Sequence, residues 1–303
     1  MNQPNDSSGA PSQAMAGTLY ALSAFILWGL YPIYFKWLGG IPPLQIVSHR
    51  VIWIVVLLGG FLLLAGRWNT VRRVFADKRL LSTVVLTAMF ISGNWLVYIW
   101  AVLNDRVLEG SLGYFINPLV NVFLGVVFLR ERLRPLAWIA VGLTAVGIAF
   151  PVVSLGELPW VSLFLGFSFG FYGLIRKLAP VDAFAGLFCE TLVVLPLALG
   201  FLAWVTWTGE SLFLTQGLGT DLALVSTGLA TAAPLVLFAL AAKRMAYTTI
   251  GFFQYLAPSM HFVFGVWLYH EPLGWQRGVT FVCIWVALAL YSVDGLRARR
   301  RKG

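Results

Sequence analysis

The chain has 303 residues, 59% of them hydrophobic and only 11% charged, against about 25% charged in a soluble globular domain. Apolar runs of about 20 residues recur from Ala16 almost to the end and leave no stretch for a soluble domain, so the sequence predicts an all-α polytopic membrane protein. The net charge of +9 sits in short basic blocks between apolar runs, which is the pattern of cytoplasmic loops and not of a nucleic-acid interface.

Residues 1–15, MNQPNDSSGAPSQAM, are polar and hold no Lys or Arg. They lack the basic region of a secretory signal and read as a disordered cytoplasmic tail before a retained first helix. Ten transmembrane helices are then predicted, near 16–35, 44–65, 81–102, 111–129, 136–154, 159–175, 183–207, 222–242, 249–269 and 278–296. The breaks carry Gly39, Gly40, Pro42 and Pro43, then Pro135, Pro159 and Pro180. A basic cytoplasmic tail, 297–303, ends the chain.

Orientation follows from the side on which Lys and Arg fall. With both termini inside, 17 basic residues lie in cytoplasmic segments, and Lys36, Arg106 and Arg277 are the 3 outside. Arg50 falls inside a span. The loop from Thr208 to Asp221 carries no basic residue, as an external loop should.

The sequence also resembles itself at a shift of about 140 residues. Trp28-Gly29-Leu30-Tyr31 faces Phe169-Gly170-Phe171-Tyr172 at 141, Gly113 and Phe115 face Gly251 and Phe253 at 138, and Pro118, Gly125 and Glu131 face Pro258, Gly265 and Glu271 at 140. Two repeats are predicted, 16–154 and 159–296, of five spans each. An odd span number forces the second copy into the membrane upside down, and inverted repeats of this kind build many secondary transporters around a site near the midplane.

Several in-span residues are candidates for that site. Pro32, Pro118, Pro196, Pro234 and Pro258 each remove a backbone donor and free a carbonyl; Pro118 and Pro258 are repeat mates and predicted helix kinks. Around them stand Tyr114, Asn117 and Asn121 in one copy and Gln254, Tyr255 and His261 in the other. Asn117 and Asn121 share a helical face. Asn94 and Trp95 add an amide and an aromatic wall. The expectation is one cavity lined by Asn94, Trp95, Tyr114, Asn117, Asn121, Gln254 and Tyr255, the alternative being hydrogen bonds between helices.

Arg50 is the most costly residue, about 8 Å from the midplane by helical rise, where an unpaired Arg costs up to about 3 kcal/mol. It reads as an anion contact or an external gate, or else as a side chain reaching to the surface. His49 beside it points about 100° away round the helix. Glu190 is the acidic residue clearly inside a span, a candidate for coupling to protons or a protonated hydrogen-bonding group. Glu131 and Glu271 read instead as helix-end caps, or as partners of a nearby Arg. Gly166 and Gly170 form a small-residue face suited to close helix packing.

Cys189 and Cys283 lie in apolar runs with no metal-ligand spacing, so no disulfide framework, metal or cofactor is predicted. HExxH, P-loop and K+-filter motifs are absent.

SHRVIW (Ser48 to Trp53), NWLVYIWAV (Asn94 to Val102), EGSLGYFINPLVNVFLG (Glu109 to Gly125), GFFQY (Gly251 to Tyr255) and FVCIWVALA (Phe281 to Ala289) resemble the RarD family, named for chloramphenicol sensitivity, within the EamA branch of the drug/metabolite transporter superfamily. The likeness runs from about Thr18 to Asp294. It implies ten transmembrane helices in two inverted EamA repeats in the bacterial inner membrane, with a central cavity and alternating access. The implied function is transport, as export, of a small metabolite or drug. An importer or facilitator of the same architecture and a membrane-embedded enzyme are the competing readings. The partners implied are a small-molecule substrate, the lipid bilayer and protons as a candidate coupling ion; the chain is compatible with a monomer or a homodimer.

Overall fold

A computed structural model of the chain describes residues 9–130, 135–242, 244 and 253–300. Among these residues the only regular structure is helical. In chain order the helices are α1 (Gly9–Gly29), α2 (Tyr31–Trp37), α3 (Pro43–Leu64), α4 (Trp68–Ala76), α5 (Lys78–Leu103), α6 (Val107–Leu129), α7 (Pro135–Leu155), α8 (Trp160–Leu178), α9 (Ala183–Trp207), α10 (Leu218–Ala242), α11 (Leu256–Val263), a π-helical turn Phe264–Leu268, and α12 (Trp275–Arg300). Among the described residues, eight helices are long and apolar enough to cross a membrane, and Trp160–Arg176 and Leu256–Leu268 are shorter apolar helices. Glu131 and Gly251 lie outside the described residues.

The helix ends follow local chemistry. Pro43 opens α3, where a missing N–H costs nothing. Asp77 caps α5, its carboxylate accepting from the Arg79 and Leu80 amides at 2.8 and 3.3 Å. Helix α1 starts at Gly9, earlier than the predicted boundary at 16. The first predicted span is interrupted at Leu30, with Pro32 in the first turn of α2. Helix α4, expected as part of a loop, buries Val71 and Val74 and exposes Arg72 and Arg73. A short basic amphipathic helix of this kind suits the plane of a membrane interface.

By its contacts the chain divides into two units, each taking helices from both halves of the sequence. The first comprises residues 1–67 and 194–261, the second 68–193 and 262–303.

In the first unit α10 packs on both α1 and α3. The α3–α10 crossing is close: a Cβ on Gly228 would stand 2.6 Å from the Cβ of Trp53. Tyr34 ties the unit across, its hydroxyl donating to the Ala223 carbonyl at 2.7 Å.

The second unit is organised on two helix pairs, α6 with α8 and α7 with α12. A Cβ on Gly166 would approach Ile116 Cγ1 to 2.9 Å, and one on Gly170 would approach Val120 Cγ1 to 2.8 Å, so the predicted small-residue face of α8 is where α6 packs. Lipid supplies no hydrophobic drive for helices to associate, so close packing and buried hydrogen bonds must do so. Ser162 Oγ accordingly donates to the Glu109 carbonyl at 2.8 Å, and Thr280 Oγ1 to the Gly147 carbonyl at 2.9 Å.

Candidate functional site

Two of the in-span prolines act as the chain's chemistry requires. Pro32 has no N–H for the carbonyl of Trp28 four residues earlier, and the Nε2 of His261, a residue 2% exposed, donates to that oxygen at 3.0 Å. Pro234 likewise leaves the Ala230 carbonyl, and the Tyr31 hydroxyl donates to it at 2.9 Å. Both freed carbonyls are therefore satisfied by side chains inside the first unit. Pro118 lies within α6, and Pro258 in the first turn of α11.

Arg50 and His49 follow one another on α3, and both are buried. Consecutive helix positions diverge by about 100°, and the two side chains turn to different neighbours. The guanidinium carbon of Arg50 stands 5.7 Å from the ring centre of Tyr31 and 5.9 Å from that of Phe35, within cation–π range. The ring of His49 lies 4.7 Å from that of Phe213. Gln254 and Tyr255, half-buried, form the turn that leads into α11 in the same unit.

The polar residues of the second unit fall into two groups. In one, Asn94, 1% exposed, donates through Nδ2 to the Leu165 carbonyl at 3.0 Å and to Ser168 Oγ at 2.9 Å, and accepts from the Tyr114 hydroxyl at 3.3 Å. Those bonds join α5, α6 and α8. Trp95 is buried beside Asn94 in sequence, and the Tyr114 ring lies 5.5 Å from that of Tyr98. Asn117 is buried, and its Oδ1 accepts no hydrogen bond from the described residues. Asn121, one turn on, is exposed.

The other group surrounds Glu190, 1% exposed on α9. Arg176 Nε stands 3.7 Å from Glu190 Oε1, long for a hydrogen bond but close for an ion pair, and the Tyr172 hydroxyl donates to Oε2 at 3.2 Å. The guanidinium also donates to the Asp182 carbonyl at 3.1 Å. It lies across Gly186, one turn before Glu190, on ground that a Cβ there would occupy. By composition Arg176 belongs to a cytoplasmic basic block, so the sequence alone does not reveal this partner. The available signal was Gly186, a residue without a side chain on the face of Glu190.

Glu271 is a cap, as its type and place suggested, but of a helix remote in sequence. Its two carboxylate oxygens accept from the backbone amides of Val107 at 2.6 Å and Leu108 at 2.8 Å, the first residues of α6. The π-turn Phe264–Leu268 and His270, at φ 52°, bring the carboxylate there. A negative group at the start of α6 is favourable both to its unbonded N–H groups and to its dipole.

The comparisons with known proteins agree with one another. Residues 15–153 match the EamA-like transporter family. An uncharacterized transporter of Vibrio cholerae is 46% identical over 285 residues, covering 94% of each chain. Protein RarD of Escherichia coli K12 is 39% identical over 289 residues, with 95% of this chain and 98% of that one covered. Protein RarD of Salmonella typhi is 41% identical over 290 residues, 96% of this chain and 99% of that one. One crystal structure superposes with a TM-score of 0.58 over 91% of this chain and 97% of its own, at 19% identity, and so shares the fold. A chain with several membrane-spanning helices and relatives of this kind is a multi-pass transporter of the bacterial inner membrane, and it belongs to the RarD proteins of the EamA-like transporter family.

Proposed function

We propose that the protein is a secondary active exporter of small organic solutes, working by alternating access in a frame of ten spans with both termini in the cytoplasm. Two inverted repeats, 16–154 and 159–296, would exchange conformations to open the substrate site to either side. The odd number of predicted spans per repeat and the 17 to 3 division of basic residues support this reading.

The observation that carries the active, coupled part of the proposal is the pair formed by buried Glu190 and half-buried Arg176, at 3.7 Å. Charges within a membrane protein are costly, and they mark ion and proton pathways more often than structural positions. Glu190 is the proposed proton-coupling group, with Arg176 as the cation that offsets the negative charge left on the carboxylate when the proton leaves.

For the substrate, Arg50 is the proposed anion contact in the first unit, with His49, Gln254 and Tyr255 in support. Asn117 is the proposed polar contact in the second, its buried Oδ1 being without a donor among the described residues. Asn94 and Tyr114, bonded to each other, hold the helices that carry it. Trp95 supplies an aromatic surface and Asn121 an exposed amide. Solute counterflow into proteoliposomes, run with a panel of metabolites and drugs, tests the assignment. Arg50→Ala should abolish flux, and Asn117→Ala should change half-saturation roughly tenfold, the worth of one hydrogen bond to a charged or strongly polar group, with membrane expression near normal. Wild-type kinetics in Asn117→Ala would remove it from the site.

A further inference from the structure

At one end of the second unit, the helix termini enclose a cleft of about 320 Å³ that the transport reading does not use. Its charged lining is Arg106, Glu109, Glu157 and Arg277, and Thr280, whose hydroxyl donates to the Gly147 carbonyl, is the other polar residue. Every lining element contributes a terminus: Arg106 is the N-cap of α6, Pro159 the N-cap of α8, Arg277 lies in the first turn of α12, and Pro151 in the last turns of α7. The cleft therefore lies at the depth of a membrane–water interface. Exposed Trp160 and Trp275, 41% and 66% accessible, stand at the same helix starts, as the aromatic belt of a membrane protein does.

The charges are arranged for a dipolar guest. Arg106 Nε contacts Glu109 Oε1 at 2.9 Å, and its guanidinium carbon lies 5.6 and 6.0 Å from the rings of Trp100 and Trp160, so it is fixed in place. Arg277 is held loosely. Its Nη2 stands 4.0 Å from Glu109 Oε1 and 3.8 Å from Glu157 Oε2, both beyond hydrogen-bond length, and its side chain is 35% exposed. Glu109 is more than nine-tenths buried, and its second oxygen, Oε2, accepts no hydrogen bond from the described residues. The floor is apolar, with Leu112, Pro151 and Phe281 buried and Leu158 exposed at the rim.

We propose that this cleft binds the phosphoethanolamine headgroup of a membrane phospholipid. The primary ammonium is taken between Glu109 Oε2 and Glu157, the phosphate by Arg277 with the remaining donors of Arg106, and the first acyl carbons by Leu158. Arg277 swings from the carboxylates to the phosphate as the ammonium replaces it, so the charge count of the cleft is conserved. A quaternary ammonium has no N–H to give to Glu109, and an anionic headgroup without an ammonium leaves the two carboxylates opposed only by arginines already shared with phosphate. On the proposed topology the cleft faces the outside, which places the lipid in the outer leaflet of the inner membrane.

The test is lipid retention by the full-length protein in detergent micelles, read by native mass spectrometry and by thermal stability. The probes are phosphatidylethanolamine, phosphatidylcholine and phosphatidylglycerol of matched chains, and soluble phosphoethanolamine. The ethanolamine lipid should bind on the order of tenfold more tightly than the choline lipid, the worth of one charge-assisted hydrogen bond, and more tightly than the glycerol lipid. Glu157→Gln, a near-isosteric change at a position whose side chain is 65% exposed, should erase most of the ethanolamine preference, and Arg277→Ala should weaken all three lipids. Equal retention of the three lipids by the wild type, or an ethanolamine preference that survives undiminished in Glu157→Gln, would overturn the proposal. So would soluble phosphoethanolamine binding as tightly as the lipid, which would make the cleft a solute site.

Discussion

The Nε2 of His261 donates to the carbonyl of Trp28 at 3.0 Å, the oxygen that Pro32 leaves without its helical partner. An unbonded carbonyl within a membrane protein costs several kcal/mol in hydrocarbon, so proline and histidine are complementary here. Replacing His261 by Ala should lower thermal stability by the equivalent of about 1–2 kcal/mol. Pro32→Ala, which restores an N–H to the helix, should recover much of that loss in the double variant. A double-mutant cycle read by thermal unfolding in detergent measures the coupling. Strictly additive losses would show that His261 acts elsewhere.

The same logic applies to Gly186, whose lack of a side chain makes room for the guanidinium of Arg176 beside Glu190. Gly186→Ala should displace Arg176 and cut coupled transport at least roughly tenfold, the effect of losing more than about 1.4 kcal/mol of positioning. Membrane expression should stay close to normal because alanine favours the helix. Full transport in Gly186→Ala would mean that the ion pair is not used.

Eight of the ten predicted spans are matched among the described residues by helices long and apolar enough to cross a membrane, because the bilayer imposes a length and an apolar character that composition reveals, while Trp160–Arg176 and Leu256–Leu268 are shorter apolar helices. What depends on pairing across the fold is not. Arg176 stands at the end of an apolar run and counts by composition as a loop cation, whereas its guanidinium reaches back to a buried carboxylate. Glu271 reads as a cap from its type and place, but sequence alone suggests the helix that follows it and not α6, whose first amides it holds. Pro32 signals the break of the first span at Leu30, although nothing in the sequence signals His261 as the donor to the freed carbonyl. Arg50 was marked by its cost in the membrane, while its cation–π neighbours Tyr31 and Phe35 were ordinary span residues by composition.

Topology is checked by single cysteines in a background without Cys189 and Cys283. Ser211→Cys should react with an impermeant maleimide from outside the intact cell, and Asn69→Cys only after the membrane is opened. Reversed labelling would invert the proposed orientation and move the headgroup cleft to the inner leaflet.

The central claim is that Glu190 couples solute movement to protons, and the most direct measurement is substrate flux in proteoliposomes with and without an imposed pH gradient. The wild type should accumulate or expel its solute against a concentration gradient only when the pH gradient is present. Glu190→Gln, which fixes the side chain in a neutral form, should still exchange substrate at equilibrium but should ignore the gradient. A variant that follows the pH gradient as the wild type does would contradict the account.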